Sequence, residues 1–187
     1  MRMNLLVGYK PREFVLSDVL TINHEVPDFT LPADTGGTIT LSDFRNRQSV
    51  LLFFYPADFT PVCTSEVCAF RDDYEHFRAR NVALLGVSGD SVETHQRFSK
   101  ECHLPFPLLS DQSYSVARAF GAKGLLGMRR AYYLIDTRGV LLWQHCECLP
   151  VFRLCNSRLR DVIQRNLPEP QSAGTNHDIP LVSPPRL

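Results

Sequence analysis

The run Ser49–Tyr55, SVLLFFY, constrains this chain more than any other stretch. It is continuously apolar and has the length of a strand, the pattern of a strand buried on both faces rather than one with a wet side. The next stretch is helical. From about Pro61 to Arg80, Val67, Phe70, Tyr74 and Phe77 recur at three- and four-residue steps and make one apolar stripe, while Arg71, Asp72, Asp73, Glu75, Arg78 and Arg80 are largely its solvated side. Asn81 can end that helix, and Val82–Val87 reads as a second buried strand. Strand, helix and strand over residues 49–88 form a βαβ crossover, whose strands run parallel.

The flanks extend an α/β layer. Asp28–Leu31 and Thr38–Leu41 are β-type runs around Asp34-Thr35-Gly36-Gly37, an N-terminal hairpin, and Ser42-Asp43-Phe44 suggests a brief capped turn. A second helix is expected over Ser91–Cys102, with Val92, His95 and Phe98 in register. Pro105 and Pro107 punctuate a link to a further helix near Ser113–Phe120. Gly121, Gly124 and Gly127 mark a flexible loop. Ala131–Asp136 and Val140–His145 read as a strand pair around Thr137-Arg138-Gly139, and a last helix as Val151–Asn166. The expected organisation is an extension over residues 1–23, one domain over 24–167, and a Pro- and Ser-rich disordered tail over 168–187.

Bulk properties narrow the function classes. At 187 residues, 44% of them hydrophobic, the chain can bury one substantial core. Lys+Arg and Asp+Glu are 20 each, which gives no electrostatic reason for a nucleic-acid or acidic-membrane partner. No run approaches the roughly 20 apolar residues of a membrane span, and Leu5–Val7 is too short for a signal-peptide core. A cytoplasmic location is expected. In such a reducing setting a disulfide scaffold is the weaker reading of the six cysteines (63, 68, 102, 146, 148 and 155), and a close pair such as Cys63 and Cys68 points to catalysis or metal binding.

Cys63 has the strongest case for chemistry. Thr60 and Pro61 read as N-cap and first helical residue, which puts Cys63 in the first turn. Free N–H groups and the positive end of the helix dipole favour an anion there, and the thiolate is the reactive form of cysteine. Val67 lies four residues on, so Cys63 shares the inward face. In open α/β sheets ligands gather beyond the carboxyl ends of the strands, where the loop Pro56–Val62 stands. Cys68 is awkward by comparison. Five residues apart on an ideal helix means roughly 140° round the axis and Cα atoms about 8–9 Å apart, whereas disulfides need about 4.4–6.8 Å. Either Cys68 is a buried passenger, or the pair bonds only when the helix unwinds.

Pro56-Ala57-Asp58-Phe59-Thr60-Pro61-Val62-Cys63 resembles the P-x-x-x-T-x-x-C motif of peroxiredoxins, and the second cysteine five residues on resembles the bacterioferritin-comigratory, or Q-type, subgroup. The likeness runs from about Val26 to Asn166. It implies a thioredoxin-like fold, a central mixed sheet flanked by helices, and a peroxidase without metal or organic cofactor. By position, Cys63 matches the peroxidatic cysteine, Thr60 the hydroxyl that hydrogen-bonds sulfur and peroxide, Pro56 the shielding proline and Cys68 the resolving cysteine. Arg130 matches the arginine that opens the late strand, with Arg129 adjacent as a possible slip of register, and Glu66 matches an acidic structural position. The resemblance further implies hydrogen peroxide or organic hydroperoxides as substrate, a Cys63–Cys68 disulfide, thioredoxin or a similar dithiol as reductant, and a monomer or weak dimer. Tyr132 and Tyr133 depart from the small-then-Phe pair common in the family, and the loop 121–128 is short for the subgroup.

Two other functions compete. A thiol–disulfide oxidoreductase usually spaces its cysteines by two residues, not the four found here. A zinc module built on Cys63/Cys68 and later thiols, including Cys102-His103 and Cys146/Cys148, lacks the usual zinc spacings. Cys102, Cys146, Cys148 and Cys155 read as buried or spare thiols, and His24, His76, His95 and His177 carry no signal.

Overall fold

The computed structural model describes residues 20–125, 127–147 and 153–167, so most of the N-terminal extension, the C-terminal tail and Cys148 lie outside the described residues. The elements in chain order are β1 (Thr30–Pro32), β2 (Thr38–Thr40), a 3-10 turn at Leu41–Phe44, β3 (Ser49–Phe54), α1 (Pro61–Asp72), α2 (Tyr74–Ala79), β4 (Val82–Ser88), α3 (Val92–Cys102), β5 (Leu108–Ser110), α4 (Ser115–Ala119), β6 (Lys123–Gly124), β7 (Gly127–Met128), β8 (Ala131–Ile135), β9 (Leu141–Cys146) and α5 (Asn156–Asn166). The main sheet has the order β5-β4-β3-β8-β9. β3 pairs parallel with β4 and antiparallel with β8, so the sheet is mixed and the apolar run lies at its centre.

Every residue of β3 is buried because alternate side chains enter two cores. Val50, Leu52 and Phe54 join the hairpin and α4 on one face. Leu51, Phe53 and Tyr55 join Val67 and Phe70 of α1, Phe77 of α2, Phe98 of α3, and Leu159 and Ile163 of α5 on the other. Burying one such side chain is worth about 1.5–3 kcal/mol, so this single strand ties both layers together.

Several expectations need correction. The helix expected to reach Arg80 breaks at Asp73, which leaves helical geometry (φ −104°, ψ 8°) while its N–H is shared by the Ala69 and Arg71 carbonyls. The restart as α2 keeps Phe77 edge-on to Phe70, their centroids 6.0 Å apart. The link after Pro107 contains an unexpected strand, β5, which extends the sheet parallel to β4. The helix near 113–120 shortens to Ser115–Ala119, since Tyr114 adopts a left-handed conformation (φ 56°). The glycine loop folds as the small β6–β7 ladder. The last described helix begins at Asn156, and the expected start at Val151 falls outside the described residues. Leu20 packs against the hairpin-side core, and Asn23 N–H donates to the Leu141 carbonyl.

Candidate active site

The βαβ crossover sets the end of β3 and the start of α1 beside each other, and the loop between them is held by polar contacts. Asp58 is buried: one carboxylate oxygen accepts from Tyr55 OH at 2.7 Å, and the other lies 2.7 Å from His95 Nδ1 on α3. Asp58 N–H donates to Asp90 Oδ2 at 2.8 Å, which also accepts from Ser88 Oγ. Burial, then the Asp58 charge, pushes the Tyr55 phenol well above its ordinary range, which keeps it a donor. Phe59 takes a left-handed conformation (φ 57°) and rests its ring edge-on against Phe98, 4.9 Å between centroids. The fold thus fixes the loop to α3 through residues 37 positions apart in sequence, a link no local pattern announces.

Thr60 stands in extended conformation before α1, and Pro61 follows at the first helical position. Thr60 is not the side-chain cap expected of it. Its hydroxyl donates to the Ala57 carbonyl at 3.2 Å, and no cap bond to an α1 N–H forms. The hydroxyl oxygen retains acceptor capacity. Pro56 is half-buried in the same loop.

Cys63 lies in the first turn of α1 with only 1% of its surface exposed. Arg130, fully buried just ahead of β8, donates Nη2 to Cys63 Sγ at 3.2 Å. Arg129 is exposed, so of the two arginines it is Arg130 that faces the sulfur. The other arm of the guanidinium, Nη1, is paired with Glu66, which sits one turn beyond Cys63 and is itself buried. Glu66 also accepts from Tyr132 OH, and Tyr132 accepts from Leu154 N–H at 3.2 Å. Burial, offset in part by the Leu154 N–H, pushes the Tyr132 phenol up to about 12, so it stays protonated and able to donate. Glu66 and Tyr132 therefore aim a permanently charged fork at the sulfur, which a lone buried arginine could not do without leaving its charge unmatched.

Cys68 is half-buried on an unbroken α1 and is a free thiol, as are Cys63, Cys102, Cys146 and Cys155. Among the described residues no three His, Cys, Asp or Glu side chains gather in a way that could hold a metal. The structure therefore brings together Cys63, Arg130 and Glu66, with Thr60 and Pro56 in the loop that leads into α1. Tyr132, Asp58 and His95 join the same construction. Asp58 stands inside the sequence motif with nothing along the chain to announce its partner, and His95 carries no sequence signal of its own.

A buried thiol at a helix start, faced by a guanidinium at the carboxyl edge of a thioredoxin-like sheet, defines the class: a thiol peroxidase. The AhpC/TSA family profile matches residues 22–144. Peroxiredoxin Bcp of Bacillus subtilis is 39% identical over 131 residues, 66% of this chain and 83% of that one. A chloroplastic peroxiredoxin Q of Triticum aestivum is 42% identical over 118 residues, 62% of this chain and 54% of that one. The crystal structure of peroxidoxin BcpB from Mycobacterium tuberculosis superposes with a TM-score of 0.70 at 33% identity, covering 78% of this chain and 97% of that one. The chain belongs to the AhpC/TSA family, as a peroxiredoxin of the Bcp and peroxiredoxin Q subgroup, and it is a thiol-dependent peroxidase.

Proposed function

We propose that Cys63 is the peroxidatic thiol, that Cys68 resolves it, and that a thioredoxin-like dithiol completes the cycle. The observation that carries this reading is the Arg130 donor 3.2 Å from a buried Sγ in the first turn of α1. The Cys63 thiolate attacks one peroxide oxygen and the O–O bond breaks. The electron pair leaves on the distal oxygen, which takes a proton and departs as water or alcohol. Charge developing on the oxygens is met by Arg130, which cannot lose its proton, and by the N–H groups of the first turn. Thr60 accepts from the peroxide hydroxyl, and Pro56 limits the approach of water. The sulfenic acid then condenses with the Cys68 thiol, releasing water, once the first turns of α1 unwind. An external dithiol reduces the disulfide by exchange.

Small hydroperoxides fit this scheme, both hydrogen peroxide and organic ones, because every named contact is to the peroxide itself. A reducing cytoplasm is consistent with five described cysteines that are all free. A monomer or weak dimer is consistent with exposed large apolar side chains that are few and separate in the chain, Ile22, Phe59 and Leu125 among the described residues. No helix among those residues is long and apolar enough to cross a membrane. The deciding experiment is Cys63→Ser, which should abolish peroxide consumption under thioredoxin turnover. Consumption at the wild-type rate would remove Cys63 from the reaction.

A further inference from the structure

Cys68 has a neighbour besides Cys63. Cys102 is the last residue of α3, packs into the same core as α1 and is 7% exposed. Cys68 packs against that same core, and the two sulfurs lie close enough to act on each other's charge. Arg71, one turn beyond Cys68 on α1, donates Nη1 to the Cys102 carbonyl at 2.8 Å and clamps the end of α3 to α1. The same guanidinium acts electrostatically on both sulfurs. Two thiols from different helices thus meet beside a fixed cation, in the folded packing.

We propose that Cys68 and Cys102 form a second redox dithiol, and that the disulfide first made between Cys63 and Cys68 is passed on to Cys68–Cys102. This rests on the oxidation of Cys63 proposed above. In the exchange, the Cys102 thiolate attacks Cys68 Sγ. The Cys68–Cys102 bond forms as the Cys63–Cys68 bond breaks, and the electron pair leaves on Cys63 Sγ. Cys102 is oxidised, Cys63 is reduced, and the proton lost by Cys102 passes to solvent. No new oxidant is needed, since the peroxide has already supplied the oxidising equivalents, and the external dithiol later reduces Cys68–Cys102.

Geometry and charge give the exchange its direction. A Cys63–Cys68 bond cannot coexist with an intact α1, whereas Cys68 and Cys102 are already apposed across two helices, so transfer lets α1 rewind. The leaving sulfur returns to the Arg130 donor that faces it in the folded site. In the reduced protein, burial first, then the neighbouring Cys68 thiol, push the Cys102 thiol up to about 11, while Arg71 pulls the other way. Once Cys68 is in a disulfide, unwinding of α1 removes part of that cover. Cys102 therefore ionises more readily at the stage when Cys68 becomes its target.

The test uses the reduced full chain, titrated with hydrogen peroxide in the absence of any external thiol, followed by alkylation and peptide mapping. The expected result is a Cys63–Cys68 link that gives way to Cys68–Cys102, with Cys63 recovered as a thiol or trapped by dimedone as sulfenic acid. Wild-type protein should consume about two equivalents of peroxide, and Cys102→Ser and Cys102→Ala about one. Mapping of the wild-type protein needs no variant to fold. A Cys63–Cys68 link that persists, or a direct Cys63–Cys102 link with no Cys68–Cys102 peptide, overturns the relay and leaves the oxidation of Cys63 standing. If Cys63 forms no adduct or link at all, both readings fall.

Discussion

At the scale of single residues, the contact that matters is between a cation and a sulfur that share one buried space. Arg130 divides its guanidinium between Cys63 and Glu66, so a substitution there has two separable consequences. Arg130→Met should lower the second-order rate with peroxide by about 10²–10³-fold, the usual cost of losing one oriented donor to developing charge. It should also destabilise the fold by roughly 3–5 kcal/mol, because Glu66 would remain buried and unmatched. Adding Glu66→Gln should return stability but not rate, and denaturant melts run beside stopped-flow assays would separate the two. Cys155 makes a contrast. It is exposed ahead of α5, and the Ser157 hydroxyl, then the Arg158 N–H, hold its thiol below the ordinary range. A lowered value means more thiolate at a given pH. Iodoacetamide should therefore label Cys155 at a lower pH than an ordinary thiol needs, and Cys102, held up to about 11, only far into alkali. Mass spectrometry of labelled peptides across pH checks this order, and equal labelling of the two at neutral pH would contradict it.

At the scale of elements, α1 carries opposing demands. Intact, it holds Cys63 against Arg130, with Val67 and Phe70 anchored in the core. Disulfide formation with Cys68 requires its first turns to open. The amides of residues 63–70 should lose hydrogen-exchange protection on oxidation to the Cys63–Cys68 form. Mass-spectrometric exchange on reduced and oxidised protein, with Cys102→Ser to hold that form, would show it, and identical protection would mean that α1 never unwinds. The break at Asp73 confines the opening, since α2 is anchored separately through Phe77. The helix period of Val67, Phe70, Tyr74 and Phe77 runs straight across that break. Two short helices that both face the same core carry nearly the same stripe as one long helix. The strand β5 is hidden for a different reason: three residues after two prolines have no period to read, and pairing with the edge of β4 and with Ala33 makes Leu108–Ser110 a strand.

At the scale of the whole molecule, one strand between two cores underlies both the site and the stability of the fold. β4 lies beside β3 with a glycine, Gly86, opposite Phe53. A Cβ added at Gly86 would come within 2.8 Å of both Phe53 Cζ and Leu108 Cδ2. Gly86→Ala should overpack the core beneath α1 and cost about 1–3 kcal/mol. A denaturation midpoint unchanged from wild type would show that the two side chains yield freely. Phe98 of the same layer rests against Phe59 of the active-site loop, and His95 on α3 holds Asp58.

The sequence by itself determined what depends on neighbours along the chain. The apolar run of β3 required a covered central strand, the strand–helix–strand pattern required a parallel crossover, and Thr60-Pro61 placed Cys63 in a first helical turn. These features come from local sterics and from solvent exclusion of contiguous side chains, which a linear pattern records. Only the tertiary structure decided which of Arg129 and Arg130 faces the sulfur, that Glu66 and Tyr132 orient it, that Asp58 meets His95, and that Cys68 meets Cys102. Those pairings join residues dozens of positions apart. Their geometry is set by how two layers of side chains close over a sheet, and no periodicity in the chain encodes that closure.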